Sequence, residues 1–199
     1  NQTFRPVAKH IVAHQNVPKL QAAAAERNPK QGPPVFPDVT FAESWRLDAG
    51  DEVVTGHYFG AAHTGGDIVV HFEKANVAHV GDLVFNRIYP VTDRPGGSSV
   101  RGWIKVLDSI AKTYPADTQF IFGHGKASFG ITGTHADVAV QRDLLSALVE
   151  HVQKEMKAGK PREEIVKLTN RPGWPDHFTE QNSRLPGNLG AVFDELSGT

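Results

Sequence analysis

Three short segments share one design, in which small or apolar residues lead directly to a side chain that can bind a metal. They are Ala61-Ala62-His63-Thr64-Gly65-Gly66-Asp67, His79-Val80-Gly81-Asp82-Leu83 and Ile121-Phe122-Gly123-His124-Gly125. Imidazole nitrogens and carboxylate oxygens are ligands that zinc accepts, and iron or manganese accept them as well. Glycine near each ligand lets the backbone approach closely. The pattern predicts a metal site formed by His63, Asp82 and His124.

The predicted secondary structure explains how these residues are positioned. Apolar runs predict a first strand over 8–13 and, further along the chain, a strand before each of the three candidate ligands. Residues at strand ends are rigid and the loops beyond them are exposed, so a site there is both fixed and accessible. Strands interspersed with helices indicate an α/β or α+β fold. Periodic apolar positions, caps and helix-favouring residues predict the helices over 16–27, 100–111, 134–158, 162–168 and 189–196.

The composition narrows the classes of partner. The chain has 199 residues, a net charge of −1 and no cysteine. Its length suits one domain. The charges are balanced, without the basic stripe typical of nucleic-acid binding or the polybasic cluster typical of membrane anchoring. We therefore expect neither nucleic acid nor a membrane as a partner. The absence of cysteine excludes disulfides and thiolate ligands. The compartment stays open, because periplasmic, secreted and cytoplasmic locations all agree with this composition.

In their order and setting, the three segments resemble the metallo-β-lactamase-fold superfamily of metallo-hydrolases. The segment FRPVAKHIVAHQNVPKLQ near the start also resembles the strand and helix that follow the main histidine motif of that superfamily. The resemblance implies one αββα sandwich domain over residues 1–199. It implies that His63 is the third histidine of the first zinc site, that Asp82 bridges two metals, and that His124 binds the second metal.

One departure from the superfamily is large. Its HxHxDH signature, which supplies ligands to both metals, does not occur in this sequence. We therefore expect the chain to be N-terminally incomplete and to represent the C-terminal part of a longer hydrolase. A zinc site normally has three or four protein ligands, so these three residues make only part of a two-metal centre.

The activity implied by the resemblance is hydrolysis by a zinc-activated water. The substrate would be a small molecule with an ester, thioester, lactone or β-lactam carbonyl, and Asp82 would take part in catalysis as the bridging residue. A phosphodiesterase or nuclease of the same fold is one alternative, against which the absence of a basic stripe argues. The other alternative is a degenerate binding module without catalysis, which metal content distinguishes from an enzyme.

Several further side chains are candidates for supporting roles. Asn86 and Arg87 follow the Asp82 strand, where they could contact substrate, and Ser98 lies in a loop that could line the pocket; a surface or loop role is the alternative for each. Asp67 is a candidate to orient His63. We expect a structural role for His14, and packing roles for Trp103 and Trp174.

An incomplete sheet leaves an open strand edge, and such edges pair readily with other chains. We therefore expect the chain to self-associate or to pair with its missing N-terminal segment. Sedimentation analysis tests this expectation, and a stable monomer of 21.7 kDa would contradict it.

Overall fold

The computed structural model describes residues 2–168 and 182–198 and contains two sheets. The strands are β1 (Val12–His14), β2 (Val39–Phe41), β3 (Ser44–Asp48), β4 (Val53–His57), β5 (Val69–Phe72), β6 (Val77–Asn86), β7 (Gln119–Gly125) and β8 (Thr132–Gly133). The large sheet has the order β3-β4-β5-β6-β7-β8, and the small sheet pairs β1 with β2. The pairs β1–β2 and β6–β7 are parallel, and the other neighbours are antiparallel.

The structure has five described helices. They are α1 (Val17–Arg27), α2 (Val100–Thr113), α3 (His135–Lys157), α4 (Arg162–Ile165) and α5 (Leu185–Ser197). Of these, α2 to α5 pack together on one face of the large sheet. α3 packs on β6 and β8, while α2 and α5 both pack against α3. The apolar stripe of α2 is fully buried, with Trp103 and Ile110 inaccessible to solvent. Burial of such stripes supplies the main driving force for this arrangement.

The small sheet lies on the opposite face. The Phe41 ring in β2 comes so close to Gly56 in β4 that a Cβ there would be 3.3 Å from it. Tyr114, at the end of α2, instead contacts the rings of His57 and His71. These contacts order the layers as helices, large sheet and small sheet, and the predicted mixed α/β fold is confirmed.

Helix starts follow the capping signals in the sequence. The hydroxyl of Ser99 accepts a hydrogen bond from the N–H of Gly102 at the start of α2. α3 begins with a capping box, in which Thr134 and Asp137 satisfy each other's backbone N–H groups. Such caps pair N–H groups that the first turn of a helix leaves without partners.

The observed elements differ from the sequence prediction mainly at the start of the chain. The first strand covers only Val12–His14, because the N–H groups of Val7 and Ala8 both donate to the carbonyl of Phe4 and form a turn instead. α5 begins at Leu185, four residues before its predicted start. Trp174 lies outside the described residues. In the described part of the chain, no helix combines the length and apolar character needed to cross a bilayer.

The C-terminal helix is joined to α2 by one carboxylate. Glu195 in α5 accepts hydrogen bonds from the Ser99 hydroxyl at 2.9 Å and from the Val100 N–H at 2.7 Å. A negative charge at a helix N-terminus is stabilised both by the free N–H groups and by the helix dipole.

Glu195→Ala should therefore lower the free energy of unfolding by about 1–2 kcal/mol. Urea denaturation followed by circular dichroism measures this change. Glu150→Ala, at an exposed carboxylate on α3, is the matched control and should stay within about 0.5 kcal/mol of wild type. Equal losses in the two variants would contradict the capping role of Glu195.

Candidate metal centre

The three predicted ligands lie together at one end of the large sheet. His124 Nε2 is 3.5 Å from Asp82 Oδ1, and His63 Nε2 is 4.0 Å from Asp82 Oδ2. Each carboxylate oxygen of Asp82 therefore faces a different histidine. Side-chain exposure rises from 14% for His63 through 37% for Asp82 to 53% for His124, so the site opens toward solvent on the His124 side.

The donor types suit a metal, and of the two separations the 3.5 Å between His124 and Asp82 is near the spacing across a zinc, while the 4.0 Å between His63 and Asp82 is longer. An N–H···O hydrogen bond spans about 2.7–3.2 Å, which is shorter than either separation. Two donors each about 2.0–2.1 Å from a tetrahedral zinc lie roughly 3.3–3.4 Å apart. Each of the two positions has only two donors. Accordingly, no three His, Asp or Glu side chains among the described residues are arranged around a single ion.

Asp82 is positioned by an irregularity in the parallel pairing of β6 with β7. From His79 to Phe85, β6 takes six residue steps while β7 takes three, from Ile121 to His124. The extra residues bulge out of the ladder, and bulges of this kind re-aim a side chain. The prediction that each ligand follows the end of a strand is therefore corrected for Asp82, which lies inside β6, and for His124, which lies inside β7.

Gly123 is the residue that accommodates this bulge. A Cβ at Gly123 would lie 1.9 Å from Asp82 Oδ1 and 2.8 Å from the carbonyl carbon of Gly81. Any larger side chain would overlap the aspartate and the backbone that carries it. The glycine before His124 is thus required by the neighbouring ligand, which the sequence motif alone did not indicate.

The carboxylate of Asp67 lies beside His63 and holds the next residue of the same loop, Thr64. That carboxylate accepts hydrogen bonds from the N–H of Thr64 at 2.6 Å and from its hydroxyl at 3.0 Å. Its Oδ1 atom also lies 3.6 Å from His63 Nδ1, which leaves Nε2 for the Asp82 side. At 3.6 Å this pair is longer than a hydrogen bond, so Asp67 acts on His63 mainly through the loop that it holds.

The loop that carries His63 is fixed at Gly65. Its carbonyl accepts hydrogen bonds from the Asn16 amide at 2.8 Å and the Tyr58 hydroxyl at 3.3 Å, and its N–H donates to the Gly96 carbonyl at 2.9 Å. Burial and the charge of Asp67 raise the pKa of Tyr58, so this phenol remains protonated and able to donate. The sequence interpretation missed Tyr58, for which no local motif gives a signal.

His14 supports the same region. It is almost fully buried, and its ring stacks on that of Tyr58 with centroids 3.6 Å apart. Its Nδ1 accepts a hydrogen bond from the N–H of Asn16 at 3.3 Å. Burial lowers the pKa of His14 and so favours the neutral ring. A hydrogen bond with the Ala42 backbone has a smaller effect in the opposite direction. These contacts agree with the structural role expected for His14.

Two buried aromatic side chains, Phe85 and Trp103, pack against the histidine rings of the site. Phe85 is buried, stacks on the His124 ring at a centroid distance of 4.8 Å, and lies 5.7 Å from the His63 ring. Trp103 approaches His63 to 5.5 Å and is held by a 2.8 Å hydrogen bond from Nε1 to the Leu83 carbonyl. Trp103 packs in the core as predicted, and it also borders the site.

Asn86 and Arg87 are engaged within the protein. The buried amide of Asn86 donates to the carbonyls of Phe129 at 3.3 Å and Gly130 at 3.0 Å. Arg87 pairs with Asp137, donates to the Asn86 side chain, and lies over the Phe129 ring at 4.8 Å. These contacts support the loop after β7. Substrate binding by Asn86 and Arg87 stays a prediction that the contacts do not test.

Ser98 is also buried. Its hydroxyl donates to the Ala62 carbonyl at 2.9 Å, and the N–H of Ser99 donates to the same carbonyl at 3.0 Å. Ser98 thus ties the loop before α2 to the residue that precedes His63. Its predicted contact with substrate likewise stays a prediction.

A mixed sheet backed by helices, with an aspartate between two histidines at one sheet end, defines a fold of the metallo-hydrolase class. The family model described as the metallo-beta-lactamase superfamily matches residues 4–124, which is more than half of the sequence. The chain belongs to this superfamily. No curated protein sequence matches the chain.

Solved structures share the fold at low sequence identity. A metallo-beta-lactamase from Pontibacter korlensis is 19% identical, with a TM-score of 0.57 over 73% of this chain and 61% of that chain. The stereoselective inverting sec-alkylsulfatase Pisa1 from Pseudomonas sp. is 18% identical, with a TM-score of 0.58 over 80% of this chain and 26% of that chain. Metallo-beta-lactamase IND-7 is 21% identical, with a TM-score of 0.53, over 73% and 61%. The chain therefore spans about three-fifths of these lactamases and about a quarter of the sulfatase.

The contact between Gly123 and Asp82 gives a direct test of how the site is built. Gly123→Ala should cost about 1–3 kcal/mol of stability, because the new methyl group must displace the bulge. Thermal and urea denaturation measure the loss. Gly187→Ala in α5 is the control, since a Cβ there meets nothing within 4 Å and should stabilise the helix by about 0.5–1 kcal/mol. A Gly123→Ala protein as stable as wild type would contradict the packing described here.

Proposed function

We propose that this chain contributes to a two-metal hydrolase centre, in which Asp82 bridges the ions, His63 binds one and His124 binds the other. The observation that carries the proposal is the position of Asp82, whose two oxygens face different histidines at 3.5 and 4.0 Å. Zinc is the expected metal, since imidazole and carboxylate are among its common ligands, with iron or manganese as alternatives.

When bound, such ions would supply an activated water and polarise the bond to be broken. The chain's own residues would set the geometry. Asp67 holds the loop that carries His63, Gly123 leaves room for Asp82, and Phe85 stacks on His124. Because His63 is nearly buried and His124 is half exposed, substrate would approach from the His124 side.

The proposed substrates carry an ester, thioester, lactone or β-lactam carbonyl. A sulfate ester is a second candidate, because the alkylsulfatase fold overlaps 80% of this chain, against 73% for the lactamases. The net charge of −1 argues against a polyanionic nucleic-acid substrate. A binding module without catalysis would keep the fold but show no metal-dependent turnover.

Metal binding is the first test of the proposal. The wild-type protein, loaded with zinc and then dialysed, should retain zinc that elemental analysis detects. Asp82→Asn should lower the affinity at both positions by at least about tenfold, because loss of even an orienting neighbour costs about 10- to 100-fold. His63→Asn and His124→Asn should each weaken one position and leave the other. Competition with a chelator measures the affinities.

His79→Asn is the matched control, since His79 is an exposed histidine on the same strand as Asp82. It should bind zinc like wild type. Equal zinc affinity in wild type and Asp82→Asn would rule out the bridging role. A screen of chromogenic β-lactams, thioesters, lactones, alkyl sulfates and a phosphodiester then distinguishes the substrate classes, and metal-dependent turnover of none of them would support the binding module.

A further inference from the structure

The strand that carries His124 is supported unequally on its two edges. In the described part of the chain, β8 pairs with β7 only at Phe120 and Ile121, before the strand reaches His124. On the other edge, β6 continues beside β7 as far as Asn86, which lies opposite Gly125. Strand ends with few paired backbone groups open more readily than strand interiors. The position of His124 therefore depends on what else holds the end of β7.

Asn86 binds the loop that leaves β7 just after His124. Its side chain is buried, and the amide donates hydrogen bonds to the carbonyls of Phe129 at 3.3 Å and Gly130 at 3.0 Å. Its backbone carbonyl accepts a hydrogen bond from the N–H of Lys126 at 2.9 Å. One residue at the end of β6 thus holds both the beginning and the end of this loop.

The loop in turn packs against β7 itself. A Cβ on Gly125 would lie 2.0 Å from the carbonyl oxygen of Gly130 and 3.3 Å from Cβ of Asn86. Because side chains alternate along a strand, these contacts lie on the face opposite the ring of His124. That ring stacks on Phe85, which is the partner of His124 in the β6–β7 pairing. The ligand is therefore supported through its ring on one face and through its backbone on the other.

We propose that Asn86 is a positioning residue for His124, which fixes the end of β7 so that the imidazole faces Asp82. The inference rests on the proposed function, in which His124 is a metal ligand. The amide of Asn86 serves two carbonyls of the loop, and its oxygen accepts a hydrogen bond from Arg87, so the side chain is engaged within the chain. Its role differs from the substrate contact expected from the sequence, because it acts on the metal position through the backbone. Supporting contacts of this kind hold a ligand in the geometry that the metal requires.

Asn86→Asp tests this role. The variant keeps the size of the side chain and the oxygen that faces Arg87, but it replaces the N–H donor with a carboxylate oxygen that repels the two carbonyls. Zinc affinity at the His124 position should fall by about tenfold, because loss of a residue that orients a metal ligand costs about 10- to 100-fold. Affinity at the His63 position should stay close to that of wild type. The ring NMR signals of the two histidines, followed during zinc titration, report each position separately.

Asn188→Asp is the matched control. Asn188 is as fully buried as Asn86, and its amide donates a hydrogen bond to the carbonyl of Pro90 at 3.1 Å. The substitution removes the same kind of buried hydrogen bond and should lower stability to a similar degree, which urea denaturation measures for both variants. Zinc affinity at both positions should nevertheless stay close to that of wild type.

A readout on the metal-free protein separates this inference from the proposed metal centre. In wild type, nuclear Overhauser effects should connect the stacked rings of His124 and Phe85, whose centroids lie 4.8 Å apart. These contacts should weaken in Asn86→Asp and persist in Asn188→Asp. Where zinc binds to none of the proteins, this pattern still supports the positioning role while the proposed function fails. An unchanged ring contact in Asn86→Asp, or an equal loss in Asn188→Asp, would overturn the inference.

Wild type alone provides a further test, which does not depend on the folding of a variant. The side-chain amide protons of Asn86 should exchange with solvent at least about tenfold more slowly than those of Asn28, which is exposed. Equal exchange rates would mean that the hydrogen bonds from Asn86 to the loop do not persist in solution, and they would overturn the inference as well.

Discussion

The parallel pairing of β6 with β7 is the constraint on which the site depends. Because β6 is longer than β7 between His79 and Phe85, its surplus residues leave the ladder, and Asp82 comes to lie over Gly123. The same pairing places Phe85 opposite His124, so that the two rings stack. One local mismatch in strand length thus positions a ligand and its neighbour together.

The parts of the fold that the sequence predicts are those with local signals. The bounds of α2 and α3 follow from caps and apolar periodicity. Those of α1 follow from Pro18 and helix-favouring residues, since the Asn16 side chain does not cap the helix as expected and bonds Gly65 instead. The grouping of His63, Asp82 and His124 was also predictable, because each follows a short run that ends in glycine or another small residue. The metal itself and the substrate stay predictions.

The contacts that sequence reasoning missed join residues far apart in the chain. Tyr58 meets Asn16 through the carbonyl of Gly65, and Glu195 caps a helix that begins 95 residues earlier, at Val100. No periodicity or motif reports such pairs. For the same reason, nothing in the sequence signals that the charge of Arg87 is paired with Asp137, 50 residues further on.

The two histidines are held by different physical means, and this difference bears on how the site would work. The His63 side chain is largely buried, with the Asp67 carboxylate 3.6 Å from Nδ1 and Trp103 beside its ring. His124 has only the face of Phe85 beneath it and is largely open to solvent. A ligand enclosed in this way keeps its geometry whether or not substrate is present, whereas an open one admits exchange of water and substrate. In the proposed centre, the His63 position would therefore hold a metal steadily, and the His124 position would receive the group that reacts.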